Sequence, residues 1–128
     1  MSFAFGPRSL EKLAGIHPDL RKVMDRAIEI TTLDFAVTEG LRSEARQREL
    51  VAAGASTTMK SRHLTGHAVD IAPYAAKKLR WDWPLFHQLA PVIKQAAADV
   101  GVPIEWGGDW QTFPDGPHFQ LPWADYPA

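Results

Sequence analysis

The chain is 128 residues long, 45% hydrophobic and 23% charged, with a formal net charge of -1 and no cysteine. That length is enough for one domain, residues 1–128, with a core that needs no covalent staples. The near-neutral, mixed charge argues against a broad basic face for nucleic acid, and without cysteine a metal site must be built from histidine and carboxylate.

Residues 1–18 do not read as a secretory leader, because Arg8, Glu11, Lys12 and His17 interrupt every apolar run. Nothing approaches a membrane span, so cytoplasmic synthesis is expected. Ser9 is expected to cap a short helix through Lys12 to Ala14, broken by Gly15. His17-Pro18-Asp19 opens the first long helix, in which Leu20, Val23, Met24, Ala27 and Ile28 recur at helical spacing. Phe35 to Thr38 is β-prone and ends at Glu39-Gly40. Ser43 can cap a helix with Arg46 to Ala53, closed by Gly54.

Ala55 to Arg62 reads as a polar loop, and Ala68 to Ala72 as a buried strand that stops at Pro73. Trp83-Pro84 leads into an amphipathic helix through Val100, stopped by Gly101. Val102 to Trp106 and Phe119 to Leu121 read as short strands, with a turn at Gly107-Gly108. Helices first, then short strands mixed with one more helix, predict an α+β fold with a small antiparallel sheet backed by helices.

Three segments concentrate the chemistry. His63 and Asp70 are seven residues apart, roughly 23 Å if extended, and an odd spacing on one strand puts side chains on opposite faces. For both to reach one metal the chain must turn, and Gly66 permits it. A carboxylate at Asp70, among Val69, Ile71 and Ala72, needs a cation or hydrogen bonds. Asp115-Gly116-Pro117-His118 places an acid and an imidazole on one loop. Arg42 and Gln47 can face one cleft if a helix starts near Ser43, and arginine suits planar carboxylate recognition.

Each residue also has a plainer reading. Asp70 can pair with a buried arginine, Asp115 can form a turn, and Arg42 can brace a loop. His17 and His87 read as structural. Trp81, Trp83, Trp106, Trp110 and Trp123 can all be packing residues.

Taken together, the pattern Ser61-x-His63-x-x-Gly66-x-Ala68-x-Asp70 with Asp115-x-x-His118 resembles the zinc peptidases that include VanY-type D,D-carboxypeptidases and VanX-type dipeptidases. The phage L-alanyl-D-glutamate peptidase (endolysin) branch is the closer match. Its marks are Pro18-Asp19-Leu20, Glu39-Gly40-x-Arg42-Ser43, Gln47, the block from Ser61 to Asp70, and Trp106-Gly107-Gly108-Asp109-Trp110 ahead of Pro117-His118-Phe119. The resemblance implies the hedgehog/D,D-peptidase-like fold, one zinc ion per chain held by His63, Asp70 and His118, and Asp115 as general base. It also implies a catalytic role for Arg42, and Gln47 and Ser61 at the substrate.

Many relatives carry Glu where this chain has Asp115. His67 matches no ligand position and is expected beside the cleft. The implied reaction is hydrolysis of the L-Ala–D-Glu bond of peptidoglycan stem peptides, by a monomer without membrane insertion. The implied setting is phage-driven lysis: the enzyme accumulates in the host cytoplasm and reaches the periplasmic wall through a pore-forming holin. The rival activities are a D,D-carboxypeptidase or dipeptidase, and a non-catalytic wall-binding module.

Overall fold

The computed structural model describes residues 3–56 and 58–127. The first helix, α1 (Pro7–Leu13), starts at a proline, whose fixed φ and missing N–H suit a first turn. Ser9 is therefore inside the helix and is not its cap. It is buried, and its Oγ accepts the Val37 N–H at 3.0 Å, tying α1 to the sheet. In α2 (Pro18–Ile30), His17 is the cap: its Nδ1 accepts the Asp19 N–H at 3.0 Å. The five residues of the apolar stripe are the buried ones.

The longest helix, α4 (Trp83–Val100), ends at Gly101, whose φ of 71° gives the left-handed cap. Pro91 lies inside it on the solvent side, where water can serve the carbonyl that its ring leaves without a donor. Helices α2 and α4 pack against each other, and Leu20, Val23, Leu89 and Ile93 in that layer are fully buried. No helix among the described residues is long and apolar enough to cross a membrane.

The strands are β1 (Phe35–Glu39), β2 (Ala68–Ala75), β3 (Lys78–Leu79), β4 (Glu105–Trp106) and β5 (His118–Gln120). They form an antiparallel sheet ordered β1-β2-β5-β4, with β3 paired to the end of β2. Between β1 and β2, α3 (Glu44–Ala52) is capped by Ser43 Oγ on the Arg46 N–H, followed by a 3-10 turn at Arg62–Thr65. The architecture is α+β, as the order of elements predicts.

Several boundaries differ from the sequence reading. The strand after Ala68 passes through Pro73, because Pro73 stands opposite Phe35 in a pair whose ladder bond is made by its neighbour, Tyr74 N–H to Asp34 C=O at 2.8 Å. It continues into a hairpin that composition did not signal, since Ala76 and Lys77 take the positive φ usually given to Asn or Gly. The expected strand from Val102 shortens to Glu105–Trp106, and the last strand starts at His118. The Gly107-Gly108 turn is a 3-10 turn through Asp109. The polar loop from Ala55 gives way to the 3-10 turn at Arg62, and Thr57 within it lies outside the described residues, as do Met1 and Ser2 of the expected leaderless start.

The sheet divides the chemistry from the core. Phe35, Val37, Val69, Ile71 and Phe119 join the apolar cluster, and the alternate positions face the other way. Direct pairing sets Asp70 opposite His118 and Gln120 opposite Glu105. A register shift between Val37 and Glu39 places Glu39, and not Thr38, opposite Asp70. Without that bulge Glu39 would share the core-facing parity of Val37.

Replacing Leu20, which is fully buried under α4, by Ala leaves a cavity in this layer. Urea denaturation is expected to show a loss of about 2–5 kcal/mol. A loss below about 0.5 kcal/mol would mean that the α2–α4 seam is not the main core.

Candidate metal centre and its cleft

Three elements deliver the central residues. Ser61 Oγ caps the 3-10 turn by accepting the His63 N–H at 3.2 Å, which fixes the start of the turn that carries His63. Gly66 then reverses the chain at φ 75°, and a Cβ there would sit 2.7 Å from the Gly15 carbonyl oxygen. The chain can therefore enter β2 with Asp70 turned back toward His63. His118 arrives from β5 by direct strand pairing.

The geometry is tight. Asp70 Oδ1 lies 3.1 Å from His63 Nε2 and 3.2 Å from His118 Nδ1. One ligating atom from each residue falls within 4.8 Å of the other two. Both imidazoles are buried, at 2% and 6% exposure. Their rings meet edge to face with centroids 5.0 Å apart.

The outward ring nitrogens decide what the inward ones can do. His63 Nδ1 is 2.9 Å from the Gly40 carbonyl oxygen, which can only accept, so that nitrogen carries the proton. His118 Nε2 is 2.7 Å from Gln120 Oε1, again an acceptor, so it too carries the proton. Neutral rings therefore aim two lone pairs at a carboxylate oxygen. Three acceptors converging in a buried site require added protons on the rings or a cation among them. A divalent cation satisfies all three at once, and the donor set suits zinc among other first-row metals.

The electrostatics agree. Burial alone would push the Asp70 carboxyl up, but where the rings take up added protons in place of a cation, hydrogen bonds from His118 and His63, and their charge, hold it well below the ordinary carboxylate range. Burial would lower the pKa of His118, yet the hydrogen bond and charge of Asp70 outweigh it and raise it.

The cluster sits in an open cleft whose walls include Glu39, Arg42, Ser61, Glu105, Trp110 and Asp115. Asp115 is half-buried; its pKa is raised by burial and by Asp70, against the moderating charges of His118, His63 and Arg42. Its loop lies directly on the Gly107 turn, where a Cβ would stand 2.5 Å from the Asp115 carbonyl oxygen and 3.1 Å from His118 Cβ. The Asp115 N–H donates to the Gly107 carbonyl at 2.9 Å.

Arg42 is fixed on both edges. Its Nε and Nη2 donate to the two carboxylate oxygens of Glu39, the second at 2.7 Å, and its Nη1 donates to Gln47 Oε1 at 2.6 Å. Gln47 is fully buried and does not line the cleft. Its amide nitrogen holds Ser56 Oγ at 2.8 Å and the Thr58 carbonyl at 2.6 Å. Direct substrate contact is thus not where the structure puts Gln47; it reaches the cleft through Arg42.

His67 is also elsewhere. It does not line the cleft, and it packs with His17, ring centroids 5.2 Å apart, and beside Tyr126. Its position on the odd side of Ala68 explains this: one residue of strand parity turns it from the Asp70 face. His87 packs against Trp83 and Trp106. Trp106 is buried, Trp81, Trp83 and Trp123 are exposed, and Trp110 lines the cleft.

Glu105 and Gln120 were not singled out from the sequence. Gln120 carried a signal, since it stands two residues from His118 and so shares its face. Glu105 carried none before the β4–β5 register was known.

A family model described as phage L-alanyl-D-glutamate peptidase matches residues 1–121. The L-alanyl-D-glutamate peptidase of Escherichia phage T5 is 37% identical over 119 residues, covering 90% of this chain and 87% of that protein. The L-alanyl-D-glutamate peptidase of Listeria phage A118 is 33% identical over 106 residues, 83% of this chain and 36% of its own length. Among solved structures, the Serratia marcescens L-Ala D-Glu endopeptidase ChiX superposes with a TM-score of 0.92 at 50% identity, covering 98% of this chain and 95% of that one. The vancomycin resistance D,D-dipeptidase VanXYg superposes with a TM-score of 0.54 at 17% identity, over 83% of this chain and 50% of that one, a likeness of fold alone.

Because His118 holds its proton more tightly than an ordinary imidazole with its reference value of 6.5, protons and metal compete for Nδ1. Metal affinity is expected to fall as pH drops, beginning at a pH above 6.5. Titration of metal-free protein at a series of pH values checks this. An affinity unchanged from pH 8 to about pH 5.5 would show that the imidazoles are not where the metal binds.

Proposed function

The chain belongs to the phage L-alanyl-D-glutamate peptidase family, and from that premise we propose that it is a zinc-dependent peptidoglycan endopeptidase that hydrolyses the L-Ala–D-Glu amide of stem peptides. The observation that carries the reading is the convergence of His63 Nε2, Asp70 Oδ1 and His118 Nδ1 at the floor of an open cleft. Zinc held by these three supplies Lewis-acid activation of a water and polarisation of the scissile carbonyl.

The protein's own groups do the rest. Asp115 accepts the proton that the attacking water loses as the new C–O bond forms. It returns that proton to the amide nitrogen as the C–N bond breaks, leaving a carboxylate on L-Ala and a free amine on D-Glu. Burial and the nearby Asp70 charge raise its pKa, which makes it a stronger base than a solvated aspartate. Aspartate is one methylene shorter than the glutamate of many relatives. The Gly107 turn, with no side chain to hold the Asp115 loop away, supports the closer backbone approach that the shorter acid needs.

Arg42 has five N–H groups. Glu39 takes two and Gln47 one, which leaves two to steady a developing oxyanion or a substrate carboxylate. Gln47 and Glu39 hold that guanidinium in place, and Ser61 sets the turn that carries His63 while lining the cleft. In this reading the enzyme acts as a monomer in phage-driven lysis. It is made in the host cytoplasm and reaches the wall in the periplasm through a pore-forming holin.

Digestion of purified peptidoglycan with mass spectrometry of the products is expected to reveal new N-terminal D-glutamate. Released D-alanine instead would assign a D,D-carboxypeptidase, and no new termini would assign a binding module. Asp115→Ala is expected to keep the metal and lose about 10²–10⁴ of turnover; ordinary turnover in that variant would remove Asp115 from the role. In the wild type, the acidic limb of the kcat/KM profile is expected above the reference carboxylate value of 3.8, because the base must be ionised.

A further inference from the structure

On the opposite side of His118 from Asp70 lies a short relay that ends on a carboxylate. His118 Nε2–H donates to Gln120 Oε1 at 2.7 Å, and Gln120 Nε2 donates to Glu105 Oε2 at 3.2 Å. The same Glu105 oxygen accepts the Trp110 indole N–H at 2.8 Å. Glu105 and Gln120 are direct cross-strand partners in β4 and β5, so the sheet itself holds the two ends together.

An amide side chain has two faces of opposite character, and turning it over exchanges them. If Gln120 turned over, its NH₂ would face His118 and its oxygen would face the Glu105 carboxylate. The second contact is acceptor against acceptor, at a residue only 5% exposed, where a hydrogen bond left unmade is costly. The first contact would pull the lone pair of His118 to Nε2 and move the proton to Nδ1. That proton would point straight at Asp70 Oδ1, 3.2 Å away, forming a hydrogen bond to the carboxylate where a ligand-to-metal bond belongs. The two orientations of one buried amide are therefore a metal-ready and a metal-blocked form of the site.

We propose that Glu105 is a positioning residue that holds the Gln120 amide in the metal-ready orientation and thereby keeps the lone pair of His118 on Nδ1. The inference rests on the reading of His63, Asp70 and His118 as a metal site, and extends it to a residue that touches neither metal nor substrate in that reading. Glu105 acts through the oxygen it presents, so a neutral amide at the same place can serve if its oxygen takes the same position. Trp110 shares that oxygen but does not orient Gln120.

The test measures metal binding, not turnover. Zinc dissociation constants by competition with a chromophoric chelator are paired with long-range ¹H–¹⁵N spectra of metal-free protein, which report the proton on each ring nitrogen of His118. The wild type is expected to show His118 with a protonated Nε2 at alkaline pH. Glu105→Leu is expected to weaken zinc binding by about 10–100-fold and move His118 toward the Nδ1–H tautomer. Glu105→Gln is expected to restore most of both.

Wild-type affinity and an unmoved Nε2–H signal in a folded Glu105→Leu protein would overturn the proposal. So would equal losses in Glu105→Gln and Glu105→Leu. Should Glu105→Leu fail to fold, Gln120→Leu carries the same expectation of 10–100-fold weaker binding, and unchanged affinity there would overturn it equally. A wild-type protein that binds no zinc would instead sink the metal-site reading itself, an outcome separate from any difference among these variants.

Discussion

The rest of the structure depends on one electrostatic constraint: a buried carboxylate oxygen faces two imidazole nitrogens whose rings have already committed their protons elsewhere. Gly40 takes the outward proton of His63 and Gln120 that of His118. What remains at the centre is a convergence of lone pairs around Asp70. Such a cluster is costly in a protein interior unless positive charge enters it. The fold tolerates it because the same arrangement that is unfavourable alone is favourable around a divalent cation.

The architecture can be read as the means of building that cluster from short pieces. Strand pairing sets Asp70 against His118 across 48 residues of chain, a separation no local motif could bridge. The 3-10 turn and the left-handed Gly66 bring His63 in from the side. The bulge in β1 turns Glu39 to the same face, where it grips Arg42. The helices α2 and α4 contribute no side chain to the cleft; packed on each other, they share one apolar core with the other face of the sheet. Within the sheet, core and chemistry are thus separated by strand parity, with the apolar residues on one side and the polar ones on the other.

That separation also explains how much the sequence disclosed. The stripe in α2, the cap at Ser43 and the stop at Gly101 rest on local rules, and they appear where those rules place them. The candidate ligands were legible because linked motifs named them together, and the need for a turn at Gly66 followed from spacing. The failures share a cause: they depend on partners distant in sequence. Ser9 looked like a cap because a serine before a helix usually is one, but its hydroxyl is claimed by Val37 on a strand 28 residues away. Pro73 looked like a strand end, yet register put its missing donor where the ladder did not need one.

Gln47 and Arg42 were legible as a pair but not as buried partner and cleft residue. His67 fell on the wrong parity by a single residue. Glu105 could not be found at all, because its meaning lies in what β4 stands beside.

The most direct measurement of the central claim is cadmium-113 NMR of protein loaded with one equivalent of cadmium, a spectroscopic stand-in for zinc, with ¹⁵N-labelled histidine. The account predicts one cadmium site with scalar coupling to His63 Nε2 and His118 Nδ1, and both couplings lost with the site in Asp70→Ala. Coupling to the opposite nitrogens, to His17, His67 or His87, or to no histidine at all would contradict it.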